Sequence, residues 1–274
     1  MLNWFADPRQ YVDAVNGLGS TVGAYEASIA QCEEVQGWCA WCNRATVFYL
    51  SNESVRILRE GMRCAHCKLT NRQRLMGFTI ADVVGGAEAR VALLEQTTRL
   101  YRSIKRRYPN TIGSEFLGRD KRRGRAHVWR SSIFRVRYTR HEDVTQLSYA
   151  SNSLDVIAHS DVLEHVYDYR AALRECCRVL IPGGALVFTV PFFHENATSV
   201  LRGKPNPDGS LVHFAPPEYH GDGVGGAGIY TFHSFGLDLF DEIRAAGFSE
   251  VAIGLCYAPA RGFASTSGVF RAIK

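Results

Sequence analysis

Residues 154–191, LDVIAHSDVLEHVYDYRAALRECCRVLIPGGALVFTVP, restrict the fold more than any other part of the chain. Leu154 to Ala158 is an apolar run of strand length. From Tyr169 onward, apolar residues recur at Ala172, Leu173, Cys176, Val179 and Leu180, the spacing of a helix with one buried face. Asp168 stands at the N-cap position, and Pro182-Gly183-Gly184 stops the helix, because Pro cannot continue it and Gly accepts left-handed angles. Ala185 to Val190 is a second buried strand. Strand, crossover helix and strand make a right-handed parallel unit, which predicts an open α/β sheet. Ligands of such sheets bind outside the carboxyl ends of the strands, here the loop His159 to His165.

A chain of 274 residues holds one full α/β domain and a small appendage. No apolar run reaches membrane-spanning length, and the opening MLNWFADPRQ lacks a charged-then-apolar signal pattern. A cytoplasmic protein with no membrane partner is therefore expected, its oligomeric state left open. The net charge of +5 is uneven: fourteen Lys and Arg lie between Arg99 and Arg140 against only Glu115 and Asp120. That segment reads as a solvated helix followed by a basic loop, or as a surface for an acidic partner. Nucleic acid is the weaker reading, since few aromatic residues interleave for base stacking.

Residues 1–30 form a helical lead-in, with Tyr11, Val12, Val15, Leu18 and Val22 on one face. A small module over 31–84 follows. Cys39-Ala-Trp-Cys42 and Cys64-Ala-His-Cys67 are two matched knuckles, and each points two thiolates at one ion. Together they make a closed tetrahedral zinc site, whose role is structural because no coordination position stays open. A redox pair or an iron–sulfur centre is the competing reading; Cys32 and His66 are spare ligands. Thr46 to Leu50 with Val55 to Leu58 suits a hairpin, and Asn71 suits a helix cap, which together outline a zinc ribbon or treble clef. Thr79 to Val84 and Gly85-Gly86 close the module, and residues 85–274 make the α/β domain.

Within that domain, strands are expected at Val91 to Leu94, Thr111 to Gly113, Phe134 to Tyr138, Leu154 to Ala158, Ala185 to Val190, Val251 to Tyr257 and Gly268 to Ile273. Helices are expected at Arg99 to Arg107 and Phe235 to Ala246. Residues 194–233, rich in Gly, Pro and His, read as a lid or substrate loop. Seven strands mostly alternating with helices give a Rossmann-like, mostly parallel sheet with an antiparallel edge strand.

In this order the chain resembles the class I S-adenosylmethionine-dependent methyltransferases, of the type 11-like branch. The residues that carry the resemblance are Asp161-Val-Leu-Glu-His-Val166, Arg178-Val-Leu-Ile-Pro-Gly-Gly184, and the approach from Asp143 through Leu147 to Ser153-Leu154-Asp155. The resemblance implies S-adenosylmethionine as cofactor and a methyl-transferring enzyme. It implies that Glu115, after Ser114 at the end of the second strand, accepts the ribose hydroxyls. Asp143 and the backbone of Val144 would then read the adenine, Glu95 would lie near the methionine end, and Ser160 and Asp161 would face the sulfonium. Where the family has a glycine-rich turn, this chain has Glu95-Gln96-Thr97-Thr98. Either threonine hydroxyls and helix amides replace bare backbone there, or cofactor binding is weakened, shifted or lost.

Methyl transfer is an in-line displacement that needs positioning and, for a poor nucleophile, a base. Candidates are His165 on the LEHV turn and His213, Glu218, His220, Asp222 and His233 in the irregular segment. His220 with Asp222 or Glu218 forms an oriented base, or the same group binds a divalent metal; alternatively these histidines only cap turns. No Asn-Pro-Pro-aromatic signature follows the fourth strand, which favours an oxygen or carbon acceptor on a small molecule. The competing function is a repurposed, non-catalytic fold whose zinc module and basic segment bind a protein or nucleic acid.

Overall fold

The computed structural model describes residues 2–51, 57–132, 135–221 and 228–274, with side chains of 129–137 left aside. Its main elements are β1 (Asn3–Phe5), α1 (Pro8–Ser28), β2 (Glu34–Cys39), β3 (Arg44–Tyr49), α2 (Leu58–Gly61), β4 (Arg63–Cys64), α3 (Asn71–Val83), β5 (Val91–Leu93), α4 (Arg99–Arg107) and β6 (Ile112–Gly113). They continue with β7 (Ala126–Ser132), β8 (Arg135–Arg140), β9 (Leu154–Ser160), α5 (Tyr169–Val179), β10 (Leu180–Thr189), α6 (Leu239–Ala245), β11 (Glu250–Leu255) and β12 (Val269–Ile273). Short two-residue and three-residue bridges tie 200–234 together.

Seven strands form the large sheet in the order β1-β11-β12-β10-β9-β5-β6. The β10–β9, β9–β5 and β5–β6 pairings are parallel, whereas β12 runs antiparallel to both β10 and β11. The expected antiparallel edge strand is present, but it is β1, which the sequence pattern did not reveal, and the strands at 250–273 lie one and two places further in. Asn3 pairs with Leu255 and Phe5 with Ile253. The expected third strand is also displaced. Residues 135–140 pair with 126–132 as a separate hairpin, and the parallel bridge Glu115–His141 links its end to the sheet. Phe134 itself lies outside the described residues.

Successive residues of the central strands face opposite cores, as the strand period requires. Ala92, Ile157 and Leu186 pack with α1, α5 and α6, while Val91, Leu93, Val156, Ala158 and Val187 pack under α3 and α4. Both faces are covered, so these strands read as continuous apolar runs. Helix α5 is capped by Asp168, which accepts from the Ala171 amide. α4 is capped by Thr98, which accepts from Tyr101.

The N-terminal module is a β2–β3 hairpin whose turn is the first knuckle, with β4 added beside β3. The partner of 44–49 is therefore 34–39. Of the partner expected from sequence, Val55 and Arg56 lie outside the described residues, while Leu58 opens α2. Helix α3 is capped by Thr70, one residue before the expected Asn71, in a reciprocal capping box with Gln73. The Asn71 side chain instead accepts the Ala264 amide. Past its first turn, α3 buries Leu75, Met76 and Ile80 against the large sheet, each worth about 1.5–3 kcal/mol. The helix is therefore shared between the module and the sheet. Docking is tight: a Cβ on Gly37 would stand 2.6 Å from the Ala260 carbonyl, and one on Gly262, whose φ is +81°, would meet the Phe48 ring.

Candidate functional site

Three places gather the chemistry-bearing residues. The first is the four-cysteine module. Cys39 and Cys67 Sγ stand 3.9 Å apart, as do Cys42 and Cys64 Sγ, and all four sulfurs lie within 4.8 Å of one another. None forms a disulfide. Four ligands at about 2.3 Å from a tetrahedral zinc are separated by roughly 3.8 Å, so the cage fits that ion. The fully buried Arg74 packs behind it, over the Phe48 ring, and donates to the Met62, Leu69 and Gly262 carbonyls.

The second place is the carboxyl end of the parallel strands. Glu95 follows β5, Ser114 and Glu115 follow β6, and Ser160 and Asp161 close β9; parallel pairing brings these ends side by side. Ser160 Oγ donates to Glu95 Oε1 at 2.6 Å. Burial pushes the Glu95 carboxyl up, against the pull of Arg72 and Ser160. The Thr97 amide and hydroxyl both donate to Glu115 Oε1 at 2.7 Å, so the turn that stands in for the glycine loop grips the expected ribose acid. The Gln96 side chain lies against Gly113 at the end of β6, accepts the Arg140 amide and donates to the Tyr138 carbonyl. Asp143 accepts the Thr145 amide and hydroxyl, and Val144 is buried beneath it. His159 is placed differently from the expectation. It lies within β9, fully buried beside Phe188, and burial pushes its imidazole down to about 3.

Asp161 is not directed at open space. With φ at +51°, it receives both Arg59 Nη atoms at 2.9 and 2.7 Å and the Thr189 hydroxyl at 3.0 Å, and Arg72 Nε stands 3.4 Å away. Burial raises its carboxyl, but Arg72 and Arg59 outweigh that and hold it well below the usual range. Glu60 pairs with the same two arginines. The four-cysteine module thus reaches the strand-end loop through Arg59 on α2 and Arg72 on α3. Neither arginine stood out in the sequence; the nearest signal was that both sit beside the second knuckle. Arg72 Nη1 is buried without a hydrogen-bond partner among the described residues, which leaves one oriented donor for a ligand's oxygen.

The third place joins the LEHV turn to the irregular segment. Glu164 is fully buried, with His165 Nε2 and His220 Nδ1 each 3.8 Å from its Oε1. Burial pushes the Glu164 carboxyl up, and the neighbouring Glu164 carboxylate is the main cause raising His220. His165 and His220 were legible candidates; Glu164 was not, because a Glu on an amphipathic turn ordinarily points to water. Asp222 lies outside the described residues. His213 contacts the Tyr230 hydroxyl and His233 the Tyr167 carbonyl. Several basic-segment arginines are structural: Arg140 pairs with the buried Glu142, and Arg123 donates to the Gln146 carbonyl.

Residues 96–188, from the threonine turn to the end of β10, match the family model described as a methyltransferase domain. The matched residues fall within the parallel part of the seven-stranded sheet. A curated relative from Mycolicibacterium smegmatis, described as a probable S-adenosylmethionine-dependent methyltransferase, is 36% identical over 61 residues, 21% of this chain. Those residues span about a quarter of that relative's length, 24%. Among solved structures, an S-adenosylmethionine-dependent methyltransferase from Mesorhizobium loti aligns over 73% of this chain and 98% of its own, at 13% identity and a TM-score of 0.43. The YcgJ protein from Bacillus subtilis aligns over 44% and 52%, at 18% identity and a TM-score of 0.33. Among the described residues of this methyltransferase-like chain, no helix is long and apolar enough to cross a membrane.

Proposed function

We propose that the chain binds S-adenosylmethionine at the strand ends and transfers its methyl group to an oxygen or carbon of a small molecule, with zinc in the four-cysteine module. The observation that carries the reading is the pair of acids at adjacent parallel strand ends, Glu95 immediately before and Glu115 within the matched methyltransferase-domain residues. Bound S-adenosylmethionine supplies an electrophilic methyl group. Glu115, oriented by Thr97, would accept the ribose hydroxyls; Asp143 and the Val144 backbone would meet the adenine; Arg72 Nη1 would pair with the methionine carboxylate. The last contact satisfies a buried donor that otherwise costs about 1–3 kcal/mol. His165 and His220 supply proton-accepting nitrogens on the acceptor side, a task in-line displacement leaves to the protein when the nucleophile is a hydroxyl. In this reading the zinc module is structural, and through Arg59 and Arg72 it also shapes the cofactor site.

Calorimetric titration of S-adenosylmethionine into the parent chain, Glu115→Ala and Arg72→Met tests this. Saturable one-to-one binding, weakened at least tenfold by each substitution, is expected. No binding by the folded parent chain refutes it and leaves the repurposed fold. One observation favours that second reading: the Glu115 oxygen nearest the turn is already satisfied by Thr97.

A further inference from the structure

We infer that Glu164, His165 and His220 form a second metal site, distinct from the four-cysteine cage, that takes one divalent first-row cation. His165 Nδ1 stands 2.9 Å from the Tyr230 carbonyl, which can only accept, so the proton sits on Nδ1 and Nε2 carries a lone pair. His220 Nε2 stands 3.0 Å from Glu218 Oε1, so there Nε2 holds a proton and Nδ1 is the nitrogen that can offer a lone pair to a metal. Both lone pairs face Oε1 of Glu164, at 3.8 Å each. Neither oxygen of that fully buried carboxylate has a hydrogen-bond partner among the described residues. Two ring nitrogens whose opposite nitrogens are already engaged thus converge on a buried carboxylate that lacks a hydrogen-bond partner, and a bound cation would satisfy all three.

The geometry suits an ion. The three ligand atoms lie within 4.8 Å of one another, and a first-row cation at about 2.1 Å from each holds ligand pairs roughly 3–4 Å apart, a contraction of a few tenths of an ångström for the 3.8 Å pairs. The outer partners are those that metal-bound imidazoles use: a backbone carbonyl for His165 and a carboxylate for His220. Glu218 is itself held by Arg202 Nη2 at 3.2 Å. Two nitrogens and one carboxylate favour Mn, Fe, Co or Zn over Ca and Mg, and three protein ligands leave coordination positions open. Because the ligands come from the turn after β9 and from the strand-like pair Tyr219–His220, the ion would fasten the irregular segment to the parallel strand ends. On the methyl-transfer reading, and only there, the open positions would take the acceptor's oxygen and lower its pKa.

Mn2+ separates this site from the thiolate cage, since it prefers oxygen and nitrogen ligands. The full chain, its cysteine site filled with zinc, is titrated with Mn2+ while free Mn2+ is followed by electron paramagnetic resonance. One Mn2+ per chain is expected, with at least tenfold weaker binding for His220→Ala and for the isosteric Glu164→Gln. Glu218→Gln, which touches no ligand atom of the ion, should weaken binding about tenfold through the loosened His220. No uptake by the parent chain up to millimolar Mn2+ overturns the inference. So does a folded Glu164→Gln chain that binds Mn2+ as the parent does. Neither result depends on S-adenosylmethionine, so failure of this site and failure of the methyl-transfer reading are distinguishable.

Discussion

Replacing Asp161 by Asn probes the contact that ties the four-cysteine module to the strand-end loop. In the parent chain this carboxylate sits between Arg59 and Arg72, with side-chain exposures of 21%, 19% and 15%. Removing one partner of a fully buried pair costs about 3–5 kcal/mol. The residual exposure lets water screen the stranded guanidiniums, so about 2–3 kcal/mol is expected here. At about 2–4 °C per kcal/mol for a chain of this size class, melting should fall by about 5–10 °C, read by calorimetry at neutral pH. The carboxyl is depressed in the folded chain, so its contribution is present above the unfolded Asp value near 3.9 and lost as pH falls below it. The deficit of Asp161→Asn should thus be constant from pH 8 to 5 and shrink by pH 3. Asp155→Asn, which breaks an outlying pair with the 48%-exposed Arg90, is the control and should cost about 1 kcal/mol or less. A fall of under 1 °C for Asp161→Asn, or a deficit that survives unchanged at pH 3, would refute the reasoning. A double-mutant cycle with Arg59→Met should return a coupling of about 1–2 kcal/mol.

On the proposed zinc reading, complete chelation of the metal should strip amide-exchange protection from 34–49 and lower the melting temperature; an unchanged melt after verified zinc loss contradicts a structural role. Gly37→Ala pushes a Cβ into the Ala260 carbonyl and should cost about 1–3 kcal/mol by chemical denaturation, while Gly85→Ala, with nothing within 4 Å, should be near neutral. His159 is a base whose folded value, about 3, lies below its ordinary 6.5. The unfolded chain takes up that proton first, so stability should fall by up to about 1.4 kcal/mol per pH unit between pH 6.5 and 3. His159→Leu should remove that part of the slope, and an identical pH profile for both proteins would count against the buried placement.

The parts of the fold set by local pattern were legible. The βαβ unit, the Asp168 cap, the 99–107 helix and the clustering of the four cysteines all follow from period, caps and knuckle spacing. What escaped was decided by tertiary pairing. Three residues at Asn3–Phe5 carry too little pattern to announce a sheet edge. Residues 135–140 have strand character but found a nearer partner in 126–132. At the site, Glu95, Glu115, Ser160 and Asp161 were placed at strand ends by topology alone. The identity of their partners was not legible, because Arg59 and Arg72 lie about ninety or more residues from Asp161 in the chain. Glu164 was hidden for a related reason: its burial is created by the chain at Glu218–His220 and Tyr230 folding back over the turn.

The pairing of Asn3 with Leu255 has a consequence for synthesis. A ribosome delivers the first strand roughly 250 residues before its partner, at about 5–20 residues per second, so β1 waits at least ten seconds or so with both edges bare. The parallel strands β5, β6, β9 and β10 are all complete before that partner emerges. The hairpin of β11 and β12 must therefore both extend the sheet and retrieve a segment made roughly 250 residues earlier, and slowing translation after residue 189 would lengthen that exposure without altering any native contact.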